Sequence, residues 1–137
     1  MKKKILVVDD DPIQRFTIKE VLQSSGDFQV IDAENGQKCL ELLKNNQIPD
    51  LILLDIMMPQ MSGWNVFDQL KENTLWKNIP IIFLTARTDE TARKAGQFLG
   101  EDFIEKPYDR TDLISRINKA VAVAKQKQSS EKIQKQP

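Results

Sequence analysis

The chain has 137 residues, which is enough for one domain with a hydrophobic core but cramped for two. Lysine plus arginine equals aspartate plus glutamate at 20 each, so the net charge gives no general attraction to nucleic acid or membranes. Histidine is absent, which excludes Ser-His and Cys-His nucleophile pairs and a phosphohistidine on this chain. A single cysteine, no secretory signal and no apolar stretch of roughly 20 residues predict a cytoplasmic protein.

Short apolar runs alternate along the chain with segments of helical periodicity. Buried strands are expected at 5–8, 28–33, 51–54, 79–84 and 102–104. Helices are expected at 12–25, 36–46, 63–73 and 88–99, and a fifth opens at Asp109 and carries an apolar stripe to Ala124. At the first helix, Asp11 suits the N-cap and Pro12 the first helical position. This alternation predicts an α/β fold: a doubly wound five-stranded parallel sheet with right-handed crossovers and five helices covering both faces.

The composition changes after Ala124. Residues 125–137 are almost entirely polar, with many lysines and glutamines. Such a segment buries too little apolar surface to offset the entropy of ordering it. We therefore expect one domain at 1–124 and a polar tail at 125–137 that is disordered, a frayed helix end or the start of a linker.

Polar and charged side chains follow four of the five predicted strands. Asp9 and Asp10 follow the first strand, Asp55 the third and Thr85 the fourth, and Lys106 comes shortly after the fifth. In an open α/β sheet the carboxyl ends of the strands meet at one edge, where binding sites gather. We therefore expect these five side chains to lie close together.

Each of these residues has a structural explanation when it is taken alone. A single aspartate after a strand often forms a turn or caps a helix, and a lone lysine is usually a surface residue. Three carboxylates at one edge are more specific, because they repel one another unless a divalent cation or a lysine offsets their charge. Mg²⁺ prefers such oxygen ligands, and an aspartate can attack a phosphoryl group to form an acyl phosphate. The second strand ends in acidic residues at 32–34 that have no obvious partner.

Five segments carry a family resemblance. They are 5–12 (ILVVDDDP), 50–59 (DLILLDIMMP), 61–63 (MSG), 84–86 (LTA) and 103–107 (FIEKP). In order and spacing they resemble the five motifs of bacterial response regulator receiver domains, over residues 3–124. The resemblance implies the flavodoxin-like strand order 2-1-3-4-5. It also implies a phosphoryl-accepting switch of two-component or phosphorelay signalling, and not an enzyme that turns over external substrates.

The resemblance assigns the acidic site position by position. Asp55 would accept the phosphoryl group. Asp10 would bind Mg²⁺ (or Mn²⁺) directly, together with Asp55, and Asp9 would bind it through water. The backbone carbonyl of Met57 would complete the protein ligands, and Lys106 would pair with a phosphoryl oxygen.

Other positions are assigned to the switch. Thr85 would hydrogen-bond the phosphoryl group and move toward it, and the rotamer of Phe103 would follow. Two neighbouring residues belong to the same group: Ala86, which follows Thr85, and Pro107, whose peptide bond with Lys106 is expected to be cis. This movement would reshape the face made by the fourth helix, the fifth strand and the fifth helix, which partner proteins contact.

Two positions bear on how long the phosphorylated state lasts. In this family the side chains two residues after the acceptor and two after the threonine border the path of the hydrolytic water. Here they are Met57 and Arg87. Because a thioether orients water poorly, we expect phosphorylated Asp55 to be long-lived.

The absence of histidine places the phosphoryl donor on another protein. The resemblance implies a histidine kinase or a histidine phosphotransfer protein as donor, a downstream protein as target, and a phosphorylation-dependent homodimer as one route of output. Direct binding to nucleic acid or a membrane is not expected. Two alternatives stay open: a receiver-fold binding module that signals without phosphorylation, and a phosphohydrolase with an aspartate nucleophile. Met57 argues against the second, because such enzymes place a second carboxylate at that position.

Overall fold

The computed structural model describes residues 2–86 and 102–134. Its strands are β1 (Lys3–Val8), β2 (Phe28–Ala33), β3 (Leu51–Asp55), β4 (Ile81–Ala86) and β5 (Asp102–Lys106). Its helices are α1 (Pro12–Ser24), α2 (Gly36–Lys44), α3 (Gly63–Glu72) and the C-terminal helix (Arg110–Gln134). The fourth helix predicted at 88–99 lies outside the described residues.

The five strands form one parallel sheet in the order β2-β1-β3-β4-β5. This confirms the predicted sheet and its strand order. Every residue of β3 is buried, as expected for a central parallel strand covered on both faces, which explains the unbroken apolar run at 51–54. The chain winds outward from β1 to β2 and then crosses to β3 on the other side. This reversal opens a crevice at the carboxyl ends of β1 and β3.

Two hydrophobic cores lie on opposite faces of the sheet. Alternate residues of each strand point to opposite faces, so Leu6 and Val8 of β1 enter one core and Ile5 and Val7 the other. The first core packs α2 and α3 against the sheet, and the second packs α1 and the C-terminal helix. The sheet is therefore covered on both sides, and its polar groups are displayed at its ends.

The start of α1 follows the sequence prediction. Asp11 is the N-cap: its Oδ1 accepts a hydrogen bond from the Ile13 N–H at 2.9 Å, and Pro12 occupies the first helical position. At the other end, Gly26 adopts a φ of 85°, a conformation that glycine takes without steric cost. These signals fix α1 directly after the acidic end of β1.

The C-terminal helix continues past the apolar stripe that ends at Ala124. It runs to Gln134, ten residues beyond Ala124. The residues after Ala124 are mainly lysine, glutamine and glutamate, which favour helix, and extending a packed helix requires no new nucleation. Of the states expected for the tail, a helix end agrees with residues 125–134, whereas the division into a domain at 1–124 and a tail stays a prediction. Within residues 2–86 and 102–134, no helix has the combined length and apolar character needed to span a membrane.

Candidate functional site

The carboxyl ends of four strands bring the predicted polar residues to one edge of the sheet. Asp9 directly follows β1, Asp55 ends β3, Thr85 is the penultimate residue of β4 and Lys106 ends β5. Asp9, Asp10 and Asp55 each offer a carboxylate oxygen, and these three atoms lie within 4.8 Å of one another. The predicted acidic cluster is therefore present in the fold.

Asp9 is the most enclosed member of the cluster, with no exposed surface. Its Oδ1 accepts a hydrogen bond from the Asp11 N–H at 3.0 Å, and its Oδ2 lies 3.0 Å from Lys106 Nζ. Its own N–H donates to the Ala33 carbonyl at 3.2 Å. A buried carboxylate is costly unless it is paired and hydrogen-bonded, and these contacts provide both. Asp10, by contrast, is exposed to solvent.

Asp55 is buried in less favourable surroundings. Its Oδ1 accepts a hydrogen bond from the Met57 N–H at 3.2 Å. Burial, and secondarily the negative charge of Asp9, raise the pKa of Asp55 to about 7, although Lys106 and the Met57 N–H act in the opposite direction. Because these surroundings disfavour the charged form of Asp55, a cation bound beside it would stabilise the carboxylate.

Lys106 bridges the two buried carboxylates. Its Nζ lies 3.0 Å from Asp9 Oδ2 and 3.8 Å from Asp55 Oδ2, and about a quarter of its side chain is exposed. The ammonium therefore pairs more closely with Asp9 than with Asp55. Its position between them offsets part of the repulsion in the cluster.

The loop after β3 is held tightly against the acidic residue. The Ile56 N–H donates to the Leu84 carbonyl at 3.2 Å, and the Gly63 N–H donates to the Ile56 carbonyl at 3.0 Å. A Cβ at Gly63 would lie 2.5 Å from the Asp55 carbonyl oxygen, so this close approach requires glycine. Met57 stands at the rim of the site with 67% of its surface exposed.

The predicted switch residues lie on the two neighbouring strands. Thr85 is fully buried, and Phe103 is half-buried. The ring of Phe103 stacks on Phe83, with 5.6 Å between centroids and 27° between planes. Phe83 also contacts Trp64 of α3 at 4.7 Å between centroids, so an aromatic row joins α3 to β5.

The remaining predicted positions are placed only in part. Ala86 pairs with Lys106 in the register of β4 and β5. The Lys106–Pro107 peptide bond is cis, which confirms the prediction. Arg87 lies outside the described residues.

Sequence reasoning missed one contact at the site. Asp32, which had no obvious partner, accepts a hydrogen bond from Arg15 Nε at 3.0 Å. Arg15 also donates through Nη1 to the Asp9 carbonyl at 2.7 Å. A signal was available, because a basic residue in the first turn of a helix opposes the helix dipole and so indicates a specific anionic partner.

The residues present fit a hard divalent cation. Mg²⁺ takes oxygen ligands, usually one or two carboxylates together with water and phosphate oxygens. The cluster offers three carboxylate oxygens within 4.8 Å, one of them on an exposed residue that solvent can reach. The pKa of Asp55 is raised, first by burial and then by the charge of Asp9, so a cation bound there would favour its charged form.

Comparisons with known proteins agree with this architecture. The family model described as the response regulator receiver domain matches residues 5–118. The transcriptional regulatory protein CpxR of Escherichia coli is 42% identical over 115 residues, which is 83% of this chain and 47% of that protein. The response regulator Rre1 of Synechocystis is 35% identical over 119 residues, which is 86% of this chain and 51% of that protein. The chain thus spans about half the length of these curated relatives.

Solved structures give the same result at the level of the fold. The receiver domain of the Francisella response regulator 1452 superimposes with a TM-score of 0.77 at 30% identity, covering 88% of this chain and 98% of that one. The family model, the strand order and the acidic edge all coincide on one stretch of sequence. This chain therefore belongs to the response regulator receiver domain family of two-component signalling.

Proposed function

We propose that this receiver domain is a phosphoryl-accepting switch in which Asp55 takes the phosphoryl group. The observation that carries the proposal is the cluster at the sheet edge: three carboxylate oxygens within 4.8 Å, with Lys106 Nζ 3.0 Å and 3.8 Å from the two buried ones. A capping or turn role does not account for this convergence. A site that receives a phosphoryl group needs these groups together.

The reaction is a transfer to a carboxylate oxygen. An oxygen of Asp55 attacks phosphorus, the bond from phosphorus to the donor's histidine nitrogen breaks, and the bonding electrons leave with the imidazole. An acyl phosphate forms on Asp55. The hydrogen bond from the Met57 N–H orients the carboxylate, and the packing of Gly63 holds the Asp55 backbone in place.

Asp10, Asp55 and the Met57 carbonyl would hold Mg²⁺, with Asp9 contributing through water, and Mn²⁺ would serve as a substitute. When bound, the cation supplies positive charge beside the carboxylates and the transferred phosphoryl oxygens. The protein contributes Lys106, which lies near enough to Asp55 to pair with a phosphoryl oxygen placed on it. Asp9 keeps the ammonium in position between transfers.

The output passes through the strands next to the acceptor. Thr85 would hydrogen-bond the phosphoryl group, and Phe103 would change rotamer as β4 moves; Ala86 and Pro107 border that movement. The stack of Phe103 on Phe83 gives the aromatic side chain a defined starting position. The receiving surface is the face made by β5, the C-terminal helix and the predicted helix at 88–99. A downstream protein, or a second copy of the chain, would bind there.

Incubation with acetyl phosphate and Mg²⁺, followed by intact-mass analysis, tests the proposal. Wild type should gain the mass of one phosphoryl group, and Asp55→Asn should gain none. An unmodified wild-type chain would favour a binding module that signals without phosphorylation. Multiple-turnover release of phosphate from external phosphoesters would favour a phosphohydrolase with an aspartate nucleophile. A donor is identified in turn by transfer from a labelled histidine kinase or phosphotransfer protein to wild type and not to Asp55→Ala.

A further inference from the structure

Arg15 joins three elements at the acidic edge. It stands in the first turn of α1, donates through Nη1 to the Asp9 carbonyl at 2.7 Å, and donates through Nε to Asp32 Oδ2 at 3.0 Å. Only 16% of its side chain is exposed, against 37% for Asp32. A single planar guanidinium therefore links the end of β1, the end of β2 and the start of α1, in a fork geometry that lysine cannot reproduce.

The bond to the Asp9 carbonyl acts on Asp10. That carbonyl belongs to the peptide group joining Asp9 to Asp10, and a peptide group is planar. Holding its oxygen therefore sets the direction of the Asp10 N–H and the position of the Asp10 Cα. The side chain and N–H of Asp9 are hydrogen-bonded to other groups, so Arg15 restrains its remaining polar atom, the carbonyl oxygen.

We propose that Arg15, oriented by Asp32, is a positioning residue that holds the Asp9–Asp10 peptide so that the Asp10 carboxylate faces the cluster for divalent-cation binding. The inference rests on the proposed function, since it concerns the same cation site. The hydrogen bonds of the Arg15 side chain go to Asp32 and to the Asp9 carbonyl, so its effect on the cation site passes through Asp10.

The sign of its effect separates positioning from charge. If Arg15 acted only through its positive charge, removing it would tighten Mg²⁺ binding, because like charges repel. If it positions a ligand, removing it weakens binding by about 10-fold to 100-fold, the usual cost of losing a group that orients a metal ligand. If it served stability alone, the unfolding temperature would fall while the affinity of the folded protein stayed constant.

Mg²⁺ titration by calorimetry, with the amide resonances of Asp10 and Asp11 followed in parallel by NMR, tests the proposal on the intact chain. Arg15→Met should weaken Mg²⁺ binding at least tenfold and shift the Asp10 amide even without metal. Arg15→Lys keeps the charge but not the fork, so it should also lose affinity. Arg110→Met is the matched control: this exposed arginine also contacts α1, through Ser24 Oγ at 3.2 Å, and it lies outside the cluster. Its Mg²⁺ affinity should equal that of wild type.

The outcomes are distinguishable. Wild type binding Mg²⁺ while Arg15→Met binds equally or more tightly would overturn the positioning role and leave the proposed function standing. Wild type binding no Mg²⁺ would overturn both. Should Arg15→Met fail to fold, Arg15→Lys provides the test, because it keeps the charges of both residues and removes only the fork that holds the Asp9 carbonyl and Asp32 together. That variant should show a smaller loss of affinity in the same direction, and an unchanged affinity would refute the role.

Discussion

Replacing Asp55 with asparagine should stabilise the metal-free protein, by an amount that is absent below pH 3.8, grows as the pH rises and levels off above about 7. The buried carboxylate is held beside Asp9, and these surroundings raise its pKa from 3.8 to about 7. Asparagine has nearly the same shape and retains an acceptor for the Met57 N–H. The substitution therefore removes the charge with little change in packing.

The magnitude follows from the pKa. Below pH 3.8 the carboxyl group is protonated in both the folded and the unfolded chain, so its burial carries no ionisation penalty. Between pH 3.8 and about 7 the unfolded chain releases the proton while the folded protein retains it, so stability falls as pH rises. At about 1.4 kcal/mol per pKa unit, the full penalty above pH 7 is on the order of 4 kcal/mol. The Asp55→Asn variant has no such penalty, because asparagine does not ionise.

Urea unfolding followed by the fluorescence of Trp64 and Trp76, with a chelator present, measures the effect. The difference in unfolding free energy between Asp55→Asn and wild type should grow from about pH 4 to about pH 8 by an amount on the order of 4 kcal/mol. Exposed Asp68→Asn is the control and should give no pH-dependent difference. Saturating Mg²⁺ should stabilise wild type and shrink the gap. A gap that is equal at both pH values would refute the electrostatic account of the site.

Three further predictions concern the same edge of the sheet. Lys106→Met should raise the pKa of Asp55 further, because it removes the ammonium 3.8 Å away. NMR titration of the Asp55 carboxyl measures this pKa, and an unchanged value would contradict the prediction. Gly63→Ala should cost about 1–3 kcal/mol in urea unfolding, because its Cβ would meet the Asp55 carbonyl at 2.5 Å; equal stability would contradict the packing. Met57→Asn and Arg87→Glu should each shorten the half-life of the phosphorylated protein, which is measured by loss of phosphoryl mass. An unchanged half-life in both variants would refute the idea that these two side chains make the phosphorylated state long-lived.

The sheet could be predicted because its strands carry a strong local signal. Buried parallel strands such as 51–54 are continuous apolar runs, and the polar residues that end them, Asp9 and Asp55, mark where the buried segment stops. The strand order came from the family resemblance, since alternation alone leaves several orders open. Clustering of the acidic residues then follows from parallel topology, which brings all carboxyl ends to one edge.

Other features depended on packing that no local pattern encodes. Lys106 Nζ lies 3.0 Å from an Asp9 oxygen and 3.8 Å from an Asp55 oxygen. The two distances differ by less than 1 Å, and sequence spacing cannot resolve so small a difference. The link from Arg15 to Asp32 joins residues 17 apart on different elements. The extension of the C-terminal helix to Gln134 follows from helix propensity, whereas the polar composition alone does not decide between a helix end and a disordered tail.

Mapping the phosphoryl group tests the central claim most directly. Phosphorylated protein, prepared with acetyl phosphate and Mg²⁺, is treated with borohydride, which reduces an aspartyl phosphate to homoserine, and its peptides are then sequenced by mass spectrometry. The account predicts homoserine at position 55, with unmodified aspartate at Asp9 and Asp10. Homoserine at another position, or an intact Asp55 in protein that carries the phosphoryl group, would contradict it.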